Sequence, residues 1–299
     1  MIKNVALFFK NIIDWANNER SIFSYLVEAL KVTNNNIILA TPLILSIILL
    51  SSYLMFMPVA GNPQAFVFIL IVFFAMSAVF LSGWLYIISK AVDAHVGADG
   101  EDVFIKEDSN EAISLLKIFP TGVGKHFVSF FLMIMLFFVM LTGLIIVTYK
   151  TGLMFIGSIG ISRADLLLAL SSQDAMRTLI TSMSFEQQLK LNYWNLYFLL
   201  TTTMFSYLLM LWAPEIIYSG RNVLETLLSS IIKLFKRFFK SFGFFVFISA
   251  LYFVITLLSA IFKSPILQFI MTVLYFYFLV YSSVLIFLFY RKEFKGSDR

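Results

Sequence analysis

The sequence predicts an all-α, polytopic membrane protein with six transmembrane helices, arranged as three units of one amphipathic helix plus a hairpin. Three observations predict it. Of 299 residues, 60% are hydrophobic and only 13% charged, about half the charge that a soluble chain usually carries. Mean hydropathy is +0.91. Six stretches are long enough to cross a hydrocarbon layer of roughly 30 Å, and none contains Asp, Glu, Lys, Arg or His. One such residue at mid-span costs about 2.5–3.5 kcal/mol on insertion scales. This composition excludes an ordinary soluble enzyme, a disordered chain and a nucleic-acid-binding module, despite a net charge of +5. The absence of cysteine excludes disulfides, iron–sulfur clusters and thiol nucleophiles.

The spans are Ile37–Met57, Ala65–Ile88, Phe127–Tyr149, Tyr193–Trp212, Phe242–Ile261 and Ile266–Tyr290. Each is apolar on all faces, so each reads as a helix; a barrel strand would alternate in polarity. Seventeen of the 22 Lys and Arg fall in the N-terminal arm, the segments between spans two and three and between four and five, and the C-terminal tail. By the positive-inside rule both termini are expected on the cytoplasmic side. Trp84, Trp194 and Trp212 fall near span ends, where amphipathic rings sit at headgroup level. Ahead of the first span, Ile2, Val5, Phe8, Phe9, Ile12 and Ile13 recur at helical spacing opposite Lys3, Asn4, Lys10, Asn11 and Asp14. That pattern predicts an interfacial helix over residues 1–20.

A short amphipathic segment carrying an acid (Glu28, Glu111 or Glu225) precedes each odd-numbered span. The single membrane domain thus divides into repeats at 21–91, 92–217 and 218–299. In the third, Leu224, Leu227, Leu228, Ile231, Ile232, Phe235 and Phe239 form the apolar face. Glu225, Ser229, Lys233, Lys236, Arg237 and Lys240 line the other.

The run Ala213-Pro-Glu-Ile-Ile-Tyr-Ser-Gly220, followed by Asn222-Val-Leu-Glu-Thr-Leu-Leu-Ser-Ser230, resembles a pattern in bacterial six-helix integral membrane proteins. Among these is the membrane domain fused to glycerophosphodiester phosphodiesterases. There a span ends in a Pro-containing turn, and an amphipathic helix with basic residues leads to the next span. Thr226 stands where that pattern has a small Ala. The resemblance implies fold and a bacterial inner-membrane location, without chemistry. The catalytic barrel of those enzymes needs roughly 250 soluble residues, and no such segment exists here.

The outer segment, residues 150–192, holds two helix-start signals, Ser162 with Asp165 and Ser184 with Gln187. The second helix is expected to run straight into span four. The segment reads either as interfacial helices or as a lid over an outward cavity. Residues 91–110, with Asp93, Asp99, Glu101, Asp102, Glu107 and Asp108, read as a solvated charged loop. Their spacing fails the test for a calcium loop, and His95 with His126 does not specify a metal site. Glu215 reads as a carboxylate snorkelling or capping at the inner interface. Asn195, Thr202 and Ser206 share one face of span four, either as a helix contact or as a polar path.

Catalytic signatures such as Gly-x-Ser-x-Gly, His-Glu-x-x-His or a P-loop are absent. The expectation is a non-enzymatic inner-membrane protein without cofactor or metal, whose partners are membrane lipids or another membrane protein. Lys233, Lys236, Arg237, Lys240 and Glu215 are the candidate lipid or partner contacts. The alternative is a small permease or lipid-translocating transporter, with the outer segment as its lid.

Overall fold

A computed structural model describes residues 22–55, 63–98, 115–220, 222–262 and 264–295. The expected interfacial helix over residues 1–20, and Glu111 of the second amphipathic segment, lie outside these residues. All regular structure among the described residues is helical. In chain order the helices are α1 (Ile22–Asn35), α2 (Ala40–Met55), α3 (Pro63–Ala98), α4 (Phe119–Phe155), α5 (Arg163–Ser171) and α6 (Gln173–Ser182). They continue as α7 (Phe185–Leu209), α8 (Trp212–Ser219), α9 (Val223–Lys236), α10 (Phe238–Ile261) and α11 (Pro265–Tyr290). A five-residue π turn, Arg291–Lys295, follows α11.

Helices α3, α4, α10 and α11, and α7 together with α8, are long and apolar enough to cross a membrane. The sixth crossing is α2 with the 3₁₀ turn before it, bent 82° from α1. Helix α1 therefore leaves the α2 axis at a steep angle where the chain enters the hairpin. Large apolar side chains such as Phe68, Leu199, Phe253 and Phe269 are more than half exposed along the long helices. In water so much bare apolar surface is a liability, whereas in hydrocarbon it is solvated.

The chain divides into two compact units, Met1–Ile134 with Leu208–Arg299, and Met135–Tyr207. In the first, α11 is the central post: 44% of its apolar window is buried, against 22% for α3 and 11% for α10. It packs against α1, α2, α3, α8 and α10. The helices α1 and α9 are each 14 residues long, and each feeds two apolar helices.

In the second unit, α4 and α7 run antiparallel. The ring centroids of Phe137 and Phe205 lie 5.9 Å apart, and the Thr151 and Tyr197 hydroxyls are 2.6 Å apart. Both helix-start signals hold. Ser162 accepts from the Asp165 backbone N–H, and Ser184 and Gln187 form a reciprocal box at the start of α7. Helix α6 was not foreseen. Ser172 caps it through the Ala175 N–H, with no Glu or Gln at that position to complete a recognisable box.

Two expectations are corrected here. Residues 91–98 belong to α3 rather than to a solvated loop, so Asp93 and His95 are helical. Trp84, Trp194 and Trp212 are buried to within 6% exposure and do not form a headgroup belt. Each indole N–H instead donates to a carbonyl near a helix break: Trp84 to Leu39 at 2.9 Å, Trp194 to Gly157 at 3.0 Å and Trp212 to Val223 at 3.2 Å. Between α8 and α9, Gly220 turns the chain at φ 62°, a conformation that costs most L residues about 1–2 kcal/mol.

Trp84→Phe keeps most of the packing but removes the indole bond to the Leu39 carbonyl that ties α3 to the α1–α2 bend. A loss of about 0.5–1.5 kcal/mol is expected, read as a lowered thermal midpoint in detergent. An unchanged midpoint would show that the indole only fills space.

Candidate functional site: carboxylates closed by tyrosines and bases

Three acids stand at the ends of the second, fourth and sixth crossings: Asp93 late in α3, Glu215 in α8 and Glu293 in the π turn after α11. Each receives a tyrosine hydroxyl and at least one basic side chain from elsewhere in the chain. Glu215 is only 1% exposed. Its Oε2 accepts from the Tyr290 hydroxyl at 2.7 Å and from Lys233 Nζ at 2.7 Å, and its Oε1 accepts from Ser229 at 2.9 Å. Lys233 also donates to the Tyr290 hydroxyl oxygen at 2.7 Å. Glu215, Lys233 and Tyr290 therefore close a triangle.

Glu293 repeats the scheme. Its Oε1 accepts from the Tyr25 hydroxyl at 2.7 Å and from Lys240 at 2.9 Å, while Arg237 Nε lies 3.4 Å from Oε2. Asp93 Oδ1 accepts from Arg291 Nε at 2.7 Å, with the Tyr218 hydroxyl at 3.4 Å. The neighbouring Lys292 pairs with Glu28 of α1. The π turn thus binds α1, α3, α10 and Arg237, just past the end of α9, through successive side chains.

The tyrosines link the acids into a circuit. Tyr25 of α1 meets the acid after the sixth crossing, Tyr290 of α11 the acid after the fourth, and Tyr218 of α8 the acid late in the second. Aromatic contacts join the same groups: Tyr218 stacks on Tyr290 with centroids 5.4 Å apart, and Tyr25 meets Phe244 edge-on at 5.3 Å. No buried side-chain polar atom among the described residues lacks a hydrogen-bond partner, which is what allows charge to be kept in a dry setting. Chemically the arrangement is a fastener, because each carboxylate is already occupied by donors. No group of His, Cys, Asp and Glu suited to a metal ion is found among the described residues.

The structure corrects the reading of Glu215. It neither snorkels nor caps at an interface, because α9 covers it with Ser229 and Lys233. Of the four basic candidates for lipid contact, Lys233, Arg237 and Lys240 point to Glu215 or Glu293. Lys236 is exposed and forms no ion pair among the described residues. Asn195, Thr202 and Ser206, in the second unit, are all exposed, and Thr202 donates back to its own helix at Phe198 O, 2.6 Å.

Five of the seven residues on the expected apolar face of the third amphipathic segment stay exposed. Val223, Thr226, Leu227, Ser230 and Leu234 face inward, while Leu224, Leu228, Ile232, Phe235 and Phe239 are 56–73% exposed. Asp93, Glu293 and the three tyrosines escaped sequence reasoning. One signal was available: each of these acids is followed within five residues by Gly, at Gly97, Gly220 and Gly296.

Fold and site together define an all-α, polytopic membrane protein whose helices are joined by a partly buried ion-pair network. Comparison with family models, with curated proteins and with solved structures finds no match.

Proposed function

We propose that this chain is a non-enzymatic membrane protein whose surface helices engage lipid outward while carboxylates hold them to the bundle inward. One observation carries the reading. Lys233 of α9 and Lys240 at the start of α10 are turned to internal acids, and an apolar row from Leu224 to Phe239 is left exposed. A helix so disposed lies in the interface with its apolar face in the acyl boundary. The excess of Lys and Arg in the segments preceding odd-numbered spans supports placing both termini on the cytoplasmic side. The likeness of residues 213–230 to bacterial six-helix membrane domains supports an inner-membrane location. The transport alternative would draw on Asn195, Thr202 and Ser206, whose exposure gives it no enclosed path among the described residues.

The native chain lacks cysteine, so single-cysteine labelling is clean. Bimane at Leu228→Cys, Ile232→Cys or Phe235→Cys should be quenched by doxyl lipids in nanodiscs. Bimane at Glu225→Cys should respond instead to aqueous iodide. Iodide quenching at every position would sink the proposal.

A further inference from the structure

The carboxylate network leaves some cations unmatched, and they gather around Tyr86. Lys90 Nζ lies 5.4 Å and Lys125 Nζ 5.5 Å from the centroid of its ring. Lys125 also donates to the Tyr86 hydroxyl at 3.4 Å, and the His126 ring lies 5.5 Å away. Neither lysine pairs with a carboxylate among the described residues. The acid on the same helix, Asp93, is held by Arg291. Two ammonium groups sharing one ring, with no carboxylate partner among the described residues, make a local field that attracts an anion.

An apolar groove of about 500 Å³ opens beside this cluster, between α2, α3 and residues 116–120. Its walls include Thr41, Leu45 and Leu49 from α2, Met76 and Phe80 from α3, and Phe119. Groove and cluster share a stripe of α3, since Met76, Phe80, Gly83, Tyr86 and Lys90 recur at helical spacing. Two glycines keep the walls close. A Cβ on Gly83 would stand 2.5 Å from the Phe119 ring, and one on Gly122 would stand 2.6 Å from Tyr86 Cβ.

From Phe80 to Tyr86 the helix rises about 9 Å, enough for a glycerol backbone between a phosphate and the start of an acyl chain. An anion alone would leave the groove unfilled, and an apolar ligand alone would leave the lysines unmatched. The medium that surrounds these helices supplies molecules with both parts.

We propose that Lys90, Lys125 and Tyr86 hold the phosphate of one anionic phospholipid, and that its acyl chain fills the groove lined by Leu45, Leu49, Met76, Phe80 and Phe119. This rests on the reading of the chain as a lipid-engaging protein, at a place separate from α9.

The test is native mass spectrometry of the full chain, offered equal phosphatidylglycerol and phosphatidylcholine of matched chain length. Excess retention of phosphatidylglycerol is expected. Lys90→Gln with Lys125→Gln should lower that retention about fivefold per lysine and leave phosphatidylcholine unchanged. Lys90→Arg with Lys125→Arg, which keeps the charge, should retain the excess. Leu49→Trp, which fills the groove without touching charge, should reduce retention of both lipids.

No excess on the native chain would overturn the proposal, as would an excess that survives in the glutamine variant or is lost equally in the arginine variant. Inorganic phosphate competing as well as the lipid would also overturn it, since the groove would then contribute nothing. If bimane on α9 reports lipid while these variants behave as native, only this site falls. If α9 reports water as well, the broader proposal falls with it.

Discussion

Truncation of Glu215 to alanine should cost about 3–5 kcal/mol, the largest single-residue effect expected in this protein. The carboxylate is 1% exposed and takes donors from three side chains on two helices. Removing it leaves Lys233 beside Tyr290 without the carboxylate and takes the acceptor from the Ser229 hydroxyl, which then bears a desolvation cost. Trp212, three residues earlier and buried, provides the readout: its emission should red-shift at a lower temperature in detergent. Glu215→Gln, which keeps an acceptor but loses the charge, should fall between native and alanine. Glu215→Leu combined with Lys233→Met should recover most of the loss, because a buried pair removed together leaves no orphaned charge. A Glu215→Ala protein that melts like the native one would mean that water reaches this carboxylate and that the fastener is slack.

Ending the chain after Tyr290 should release α1 from the bundle before anything else loosens. The deletion removes Arg291, Lys292 and Glu293 together, and so cuts the ties of Asp93, Glu28, Tyr25 and Lys240 to this turn in one step. Docking of α1 should weaken on the order of 3–5 kcal/mol, because Glu293 is buried among the groups it joins. Hydrogen exchange over Ile22–Asn35 is the direct measurement. Its amides should exchange far faster in the shortened chain while those of α10 and α11 keep their protection. Unchanged protection of α1 would show that apolar contacts alone hold it down.

The crossings were legible in the sequence because hydrocarbon penalises every charge, so the absence of Asp, Glu, Lys, Arg and His from long stretches is itself a structural statement. Helix starts at Ser162 and Ser184 were legible because a cap needs only the right side chain at the right short offset. The carboxylate network was not legible. Its pairs join positions 198, 264 and 268 residues apart, and a single sequence carries no measure of such proximity. Glu215 looked like an interfacial acid because it follows a span and a proline; nothing nearby in sequence announces that Lys233 folds back over it.

The sequence told the two faces of α9 apart without saying which of them meets the bundle. In a soluble protein apolar means inward, but at a bilayer surface the outside is apolar too. The inward face then tolerates Thr226 and Ser230, fully buried, because each hydroxyl donates to a carbonyl of its own helix.

The π turn after α11 also sets a timetable. Chains emerge from the ribosome at roughly 5–20 residues per second, so α1 is made on the order of ten to fifty seconds before the side chains that will hold it. Throughout that delay Glu28 and Asp93 lack their basic partners from the π turn, and the young α2–α3 hairpin leans on the Trp84 indole at its bend. A ribosome that stalled in this window would leave the first-made helix undocked, a visible mark of an unfinished molecule for any protease that patrols the membrane.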